Sequence, residues 1–196
     1  EAPGESFRAS LLAAAALLRD SLAAMPKEEG PKVTAVGHAH LDVAWLWPLS
    51  QTRAKAARTF ATVLQLMERY PEFRFAQSQP QLYAFVEEDH PSLLEEIKAR
   101  VKEGRWEPLG GMWVEADVNL PGGESLIRQF LFGRRYFRRV FGHPGAPVLW
   151  LPDSFGYPAN LPQIAVGCGM RYFMTTKLSW NEYNRFPYDS FRWRGL

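Results

Sequence analysis

Two apolar patterns take turns along this chain. One repeats at helical spacing, and the other runs continuously or alternates over a few residues. Residues 5–25 hold leucines among alanines, the pattern of one packed amphipathic helix, closed by Pro26 and the polar run Lys27-Glu28-Glu29-Gly30. That run is the best linker in the chain, so residues 1–30 read as a short helical segment and 31–196 as a separate domain. Within the domain, residues 33–37 are a β-branched run that predicts a buried strand. A helix is predicted over 50–70, with Ser50 as N-cap and Pro71 as terminator. Residues 73–77 read as a strand, and helices follow over 80–88 and 91–103, the second opened by Pro91 and closed by Gly104. A strand broken by Gly110-Gly111 lies within 106–118, and a helix over 124–141 starts after Gly122-Gly123. The pattern ends with a strand at 147–151, a helix near 161–167 and a strand at 171–175. Strands alternating with helices predict the α/β class, with a parallel sheet or barrel whose chemistry gathers where strands end and loops begin.

Composition changes this picture little. Hydrophobic residues make up 46% and charged residues 22%, an ordinary globular balance, with seven Trp and thirteen Phe as the one unusual load. A net charge of +2 with scattered basic residues gives no footprint for nucleic acid. Arg134, Arg135, Arg138 and Arg139 sit at helical spacing and read as a solvated helix face. The single Cys168 excludes an internal disulfide framework, which makes the reducing cytoplasm the default compartment. No apolar run approaches the ~20 residues that span a bilayer, and the leucine-rich stretch near the start lacks the basic flank of a signal peptide.

Candidate chemistry centres on His38-Ala39-His40-Leu41-Asp42, directly after the 33–37 strand. Alternate residues of an extended chain share a face, so His40 and Asp42 can reach one point, a sound start for a Zn²⁺ site. The pair is incomplete, since zinc takes at least three protein ligands, and a hydrogen-bonded His pair at a strand end is the competing reading. A second cluster is Trp150-Leu151-Pro152-Asp153-Ser154-Phe155-Gly156-Tyr157. Taken alone, a loop-borne Asp153 is more often a turn former or cap. The aromatics around it, with Trp45 and Trp47 after the first motif, offer flat faces for the C–H faces of a sugar, against core packing as the commoner fate. Glu115, Asp117 and Asn119 alternate with apolar residues and either line a strand mouth or form the wet face of an edge strand. Lys177 reads as a surface lysine before it reads as a counter-charge, and His90 and His143 as structural residues.

Four long segments carry a resemblance: GHAHLDVAWLWPLSQTRAKAARTF (37–60), RYPEFRFAQSQPQLYAFVEE (69–88), GRWEPLGGMWVEADVNLPGGESLIRQFLFGRRYF (104–137) and VLWLPDSFGYPANLPQIAVGCGMRYFMTTKLSWNEYNRFPYDSFRW (148–193). In this order and register they are similar to glycoside hydrolase family 38, the α-mannosidases, in its cytosolic and vacuolar branch. The resemblance implies a (β/α) barrel-like catalytic domain, represented here by its N-terminal part, with residues 1–30 as the end of a preceding helical region. It implies one divalent metal, zinc before Co²⁺ or Mn²⁺, held by His40, Asp42 and Asp153. Asp153 would also be the nucleophile of a retaining double displacement, with Trp45 and Phe155 against the sugar. His38 matches a histidine that is not a ligand in the family.

The implied partners are mannose-containing oligosaccharides, with no role for nucleic acid or membrane and with self-assembly left open for the full-length protein. The family's acid/base carboxylate and last zinc histidine lie downstream of the Asp153 segment, and neither His90 nor His143 fits that ligand. The expectation is therefore that these 196 residues alone bind metal weakly and turn over little or nothing. A metal-dependent deacetylase and a non-catalytic carbohydrate-binding domain are the alternatives.

Overall fold

A computed structural model describes residues 4–25 and 32–196, so the predicted linker at 27–30 lies outside the described residues. The chain divides into two compact units, Glu1–Thr34 and Ala35–Leu196. The first contains helix α1, Glu5–Ala24, which starts from the Gly4 carbonyl and carries Glu5 at the positive end of its dipole. It ends where Met25 turns extended, as a residue before proline must. The helix is present, and within this unit none of its side chains is buried, Leu12 being 73% exposed. No other element lies among the described residues of this unit, so its apolar stripe has nothing within the unit to cover it.

In the second unit, α2 (Leu49–Arg69), α3 (Pro80–Asp89), α4 (Pro91–Lys102) and α5 (Gly123–Phe141) supply most of the core. Thr52, Ala56, Phe60, Val63, Leu64 and Met67 recur at helical spacing and form the buried stripe of α2. The cap position of α2 belongs to Pro48, not Ser50. Pro48 has the extended backbone a cap needs (φ −73°, ψ 159°), and Ser50 falls inside the first turn. Pro80 and Pro91 open α3 and α4 at the first helical turn, where a missing N–H costs nothing.

The strands are short and parallel. β1 (Phe75–Gln77) pairs with β2 (Trp106–Pro108), Phe75 opposite Trp106. β3 (Val148–Trp150) pairs with β4 (Tyr172–Met174), Val148 opposite Tyr172. The helix α6 (Leu161–Gly167) joins β3 to β4. The predicted strand at 33–37 shrinks to one parallel bridge, Gly37 to Phe75, with Val33 and Val36 exposed. A β-carbon at Gly37 would come within 2.8 Å of the Phe73 ring, so any larger residue there would have to displace that ring. The second sheet follows the first closely in space, since the Ala146 N–H reaches the Pro108 carbonyl at 3.0 Å.

Two buried clusters lie beside these sheets. Phe60, Tyr83, Trp106 and Phe137 centre the first, where the Trp106 indole donates to the Tyr83 hydroxyl at 2.8 Å. Leu126, Phe130, Leu149, Leu151 and Leu161 centre the second. Both leave the C-terminal ends of β1 and β3 to the loops that carry polar side chains. Among the described residues no helix is long and apolar enough to cross a membrane.

Candidate metal and carboxylate site

The His38–Asp42 segment leaves the Gly37 bridge and runs over the ends of β1 and β3. His38 is fixed by two partners of opposite kind. The Ala76 carbonyl can only accept, so His38 Nδ1 donates to it at 2.9 Å, and the Trp150 indole can only donate, so His38 Nε2 accepts at 3.1 Å. Both ring nitrogens are thus occupied, and His38 has no lone pair to give to a metal.

His40 is arranged differently. Its Nδ1 is hydrogen-bonded to the Glu115 carboxylate, while Nε2 lies 3.3 Å from Asp42 Oδ1 and 3.5 Å from Asp153 Oδ2. The hydrogen bond to Glu115 is the main reason its pKa is pushed up to about 9, against the opposing effect of burial, with Asp42 adding to the rise.

Asp153 comes to this point on the turn after β3. The turn is tied down by Tyr157, whose hydroxyl donates to the Ser154 carbonyl at 2.8 Å, by Ser154 Oγ on the Ala116 carbonyl at 3.1 Å, and by Thr176 Oγ1 on the Pro152 carbonyl at 2.7 Å. Burial raises the Tyr157 pKa, which keeps this hydroxyl a donor. The two oxygens of Asp153 face different charges: Oδ2 faces His40, and Oδ1 receives Lys177 Nζ at 2.7 Å. The Lys177 side chain is only 14% exposed, and its ammonium lies over the rings of Phe155 (4.9 Å) and Trp180 (4.0 Å). It is a counter-charge of the site and not the surface lysine that its sequence position suggested.

The candidate aromatics fall in two places. Phe155 is 64% exposed beside Lys177, next to the Asp153 oxygen, and stacks edge-on against Trp180. Trp45 is 65% exposed and packs edge-on against Trp47, whose indole donates to Thr52 Oγ1. Thr52 in turn donates to the Asp42 carbonyl at 2.9 Å, which links that aromatic pair to the metal-type loop. Of the alternating trio, Glu115 enters the site, whereas Asp117 closes a turn by accepting the Asn119 and Leu120 amides. No strand forms there. His90 joins α3 to α4 and His143 accepts the Gly145 amide, so both are structural. Glu115 was one of two open readings in the sequence, while Ser78 and Gln79 are the site residues that sequence reasoning did not single out. No local pattern marked Ser78 and Gln79, because their partners Glu115 and Leu41 are 36 to 38 residues away in the chain.

His40, Asp42 and Asp153 each offer one ligand atom, all within 4.8 Å of one another. One imidazole nitrogen with two carboxylate oxygens suits a divalent ion such as zinc, and the carboxylate behind the histidine is the usual support of a metal-bound imidazole. A parallel α/β unit with such a cluster at its strand ends defines an α/β scaffold with a candidate metal site in the usual place.

Residues 30–196 match the Glycosyl hydrolases family 38 N-terminal domain, and the chain belongs to that family. It is 51% identical over 164 residues to Alpha-mannosidase 2C1 of Homo sapiens, covering 84% of this chain and 16% of that protein. It is 48% identical over 169 residues to Alpha-mannosidase G of Dictyostelium discoideum, covering 86% of this chain and 16% of that protein. Among solved structures, an alpha-mannosidase from Enterococcus faecalis superposes with a TM-score of 0.65 at 25% identity, over 71% of this chain and 16% of that one. The chain thus spans about one sixth of the length of these relatives.

Proposed function

We propose that residues 31–196 are the N-terminal part of the catalytic domain of a retaining α-mannosidase, with a (β/α) barrel-like wall, and that residues 1–30 end a helical region before it. The observation that carries this reading is the meeting of His40, Asp42 and Asp153, far apart in the chain, at one point over the ends of parallel strands. The substrates would be oligosaccharides ending in α-linked mannose, and the compartment the cytoplasm, in keeping with the lone thiol of Cys168.

In this reading His40 Nε2, Asp42 and Asp153 would hold one divalent ion, zinc before Co²⁺ or Mn²⁺, which would supply positive charge to the hydroxyls of the bound sugar. An Asp153 oxygen attacks the anomeric carbon and forms a C–O bond as the glycosidic C–O bond breaks. The departing oxygen takes its proton from a general acid. Water then cleaves the glycosyl ester with net retention, returning Asp153 as a carboxylate. Lys177 directs Asp153, since its ammonium donates to one carboxylate oxygen at 2.7 Å and leaves the other facing His40. Phe155 and Trp45 offer ring faces to the sugar.

The carboxylates gathered around His40 all have other roles: Asp42 and Asp153 as ligands, and Glu115 bound to His40 and Ser78. We therefore assign the general acid to none of them. Incubating the full-length protein with a fluorinated mannosyl reagent should leave a covalent adduct, and peptide mapping should find it on Asp153. An adduct on a different carboxylate would overturn the assignment. No adduct, together with no hydrolysis of an aryl α-mannoside, would overturn the glycosidase reading itself in favour of the deacetylase, and intact hydrolysis by Asp153→Ala would favour the non-catalytic alternative for this domain.

A further inference from the structure

Behind the three ligand atoms lies a buried acid to which neither family membership nor the reaction gives a role. The Glu115 side chain is 4% exposed, yet it is separated from His40 by 75 residues of chain. One of its oxygens holds His40 Nδ1, and the other receives the Ser78 hydroxyl. Its main chain is held as well, because the Gln79 side-chain oxygen accepts the Glu115 N–H at 3.1 Å. The same Gln79 amide donates from Nε2 to the Leu41 carbonyl at 2.8 Å, inside the His38–Asp42 segment. Gln79 does this from a left-handed backbone conformation (φ 61°), which few residues other than glycine adopt. One side chain thus ties the histidine loop to the segment that carries its carboxylate.

A histidine can give a metal only a nitrogen without a proton, and two tautomers are open to the neutral ring. A carboxylate on Nδ1 selects the form with the proton there, leaving the Nε2 lone pair toward Asp42 Oδ1 and Asp153 Oδ2. The charges agree with this. Three carboxylates (Asp42, Glu115, Asp153) face one ammonium (Lys177), and a divalent cation closes the balance. An acid that served packing alone would not need to be aligned with the histidine ring.

We propose that Glu115 is a positioning residue: it keeps the His40 proton on Nδ1 and so presents Nε2 to a divalent cation shared with Asp42 and Asp153. This inference rests on the reading of the cluster as a metal site. The test uses the full-length protein, stripped of metal and titrated with Zn²⁺ against a chromophoric chelator, with thermal unfolding of each metal-free variant alongside. Wild type should bind zinc at this site, and Asp42→Ala should lose it. Glu115→Ala should weaken zinc binding roughly 10- to 100-fold, and Glu115→Gln, which retains an acceptor for Nδ1–H, should fall between Ala and wild type. Zinc affinity of both Glu115 variants within twofold of wild type would overturn the positioning role while leaving the metal site standing. A loss in Glu115→Ala that goes with a lowered metal-free melting temperature, with Glu115→Gln unchanged in both, would likewise overturn it as mere packing. Wild type that binds no more zinc than Asp42→Ala would overturn the underlying metal reading.

Discussion

Lys177 shows how little an isolated residue says about its own role. Its ammonium is held between two aromatic faces and set on one oxygen of Asp153, so it interacts with that carboxylate in a largely desolvated place. A charge-assisted hydrogen bond of this kind is worth roughly 1.5–3 kcal/mol. Lys177→Met in the full-length protein is expected to lower kcat/KM for an aryl α-mannoside by about 10- to 100-fold, with Lys177→Arg retaining more. Steady-state kinetics of the two variants checks this, and an unchanged kcat/KM for Lys177→Met would remove Lys177 from the mechanism. The His38–Asp42 motif is the opposite case. Its spacing already put His40 and Asp42 on one face, and that much was legible. Why His40 and not His38 offers a lone pair was not, because the deciding partners are Ala76, Trp150 and Glu115, all distant in sequence.

At the scale of elements, the helices were readable because their signals are local: a stripe at helical spacing, proline at the first turn of α3 and α4, and glycine beyond the end of α4. The strands were located but drawn too long, since three residues of ladder are fixed by partners and not by their own composition. How α5 packs was not readable at all. Gly133, in mid-helix, faces the Gly111 carbonyl so closely that a β-carbon would collide with it, and the Trp113 amide reaches the Gln129 carbonyl beside it at 3.0 Å. Gly133→Ala should therefore destabilise the fold by about 1–3 kcal/mol or more, although alanine is the better helix former. Urea denaturation would show this as a lower midpoint, and a higher one would refute the contact.

α3 and α5 are also joined by charge. Arg139 donates twice to Glu87 at 2.7 Å, the Tyr136 hydroxyl adds a third bond at 2.9 Å, and the Arg139 contact holds the Glu87 carboxyl below its usual range. A depressed folded-state pKa gives stability that is present above the unfolded carboxylate value of about 4.3 and lost as pH falls through the lower, folded one. Because the pair is partly exposed, the effect should stay below about 1 kcal/mol. Glu87→Gln should thus flatten the acid limb of a stability–pH profile below about pH 4 and leave its alkaline limb alone. An acid limb of unchanged steepness would deny the coupling.

For the whole molecule, the parallel direction of both strand pairs brings the loop after the Gly37 bridge, the ends of β1 and β2, and the turn after β3 to one side. Retaining hydrolysis needs a second carboxylate ~5–5.5 Å from the nucleophile and free to carry a proton, and those around His40 are all engaged. A preparation of these 196 residues alone is expected to hydrolyse an aryl α-mannoside at or near the buffer rate. Robust turnover by a preparation verified by mass would contradict this.

By itself the sequence determined what short-range forces settle: where helices begin and end, the alternation that makes the class α/β, and the shared face of His40 and Asp42. Only the tertiary structure decided which distant groups meet. The Asp153 turn, the Lys177 ammonium and the Glu115 carboxylate reach His40 through chain closure across tens of residues. Hydrophobic patterning drives that closure without naming the polar partners it brings together.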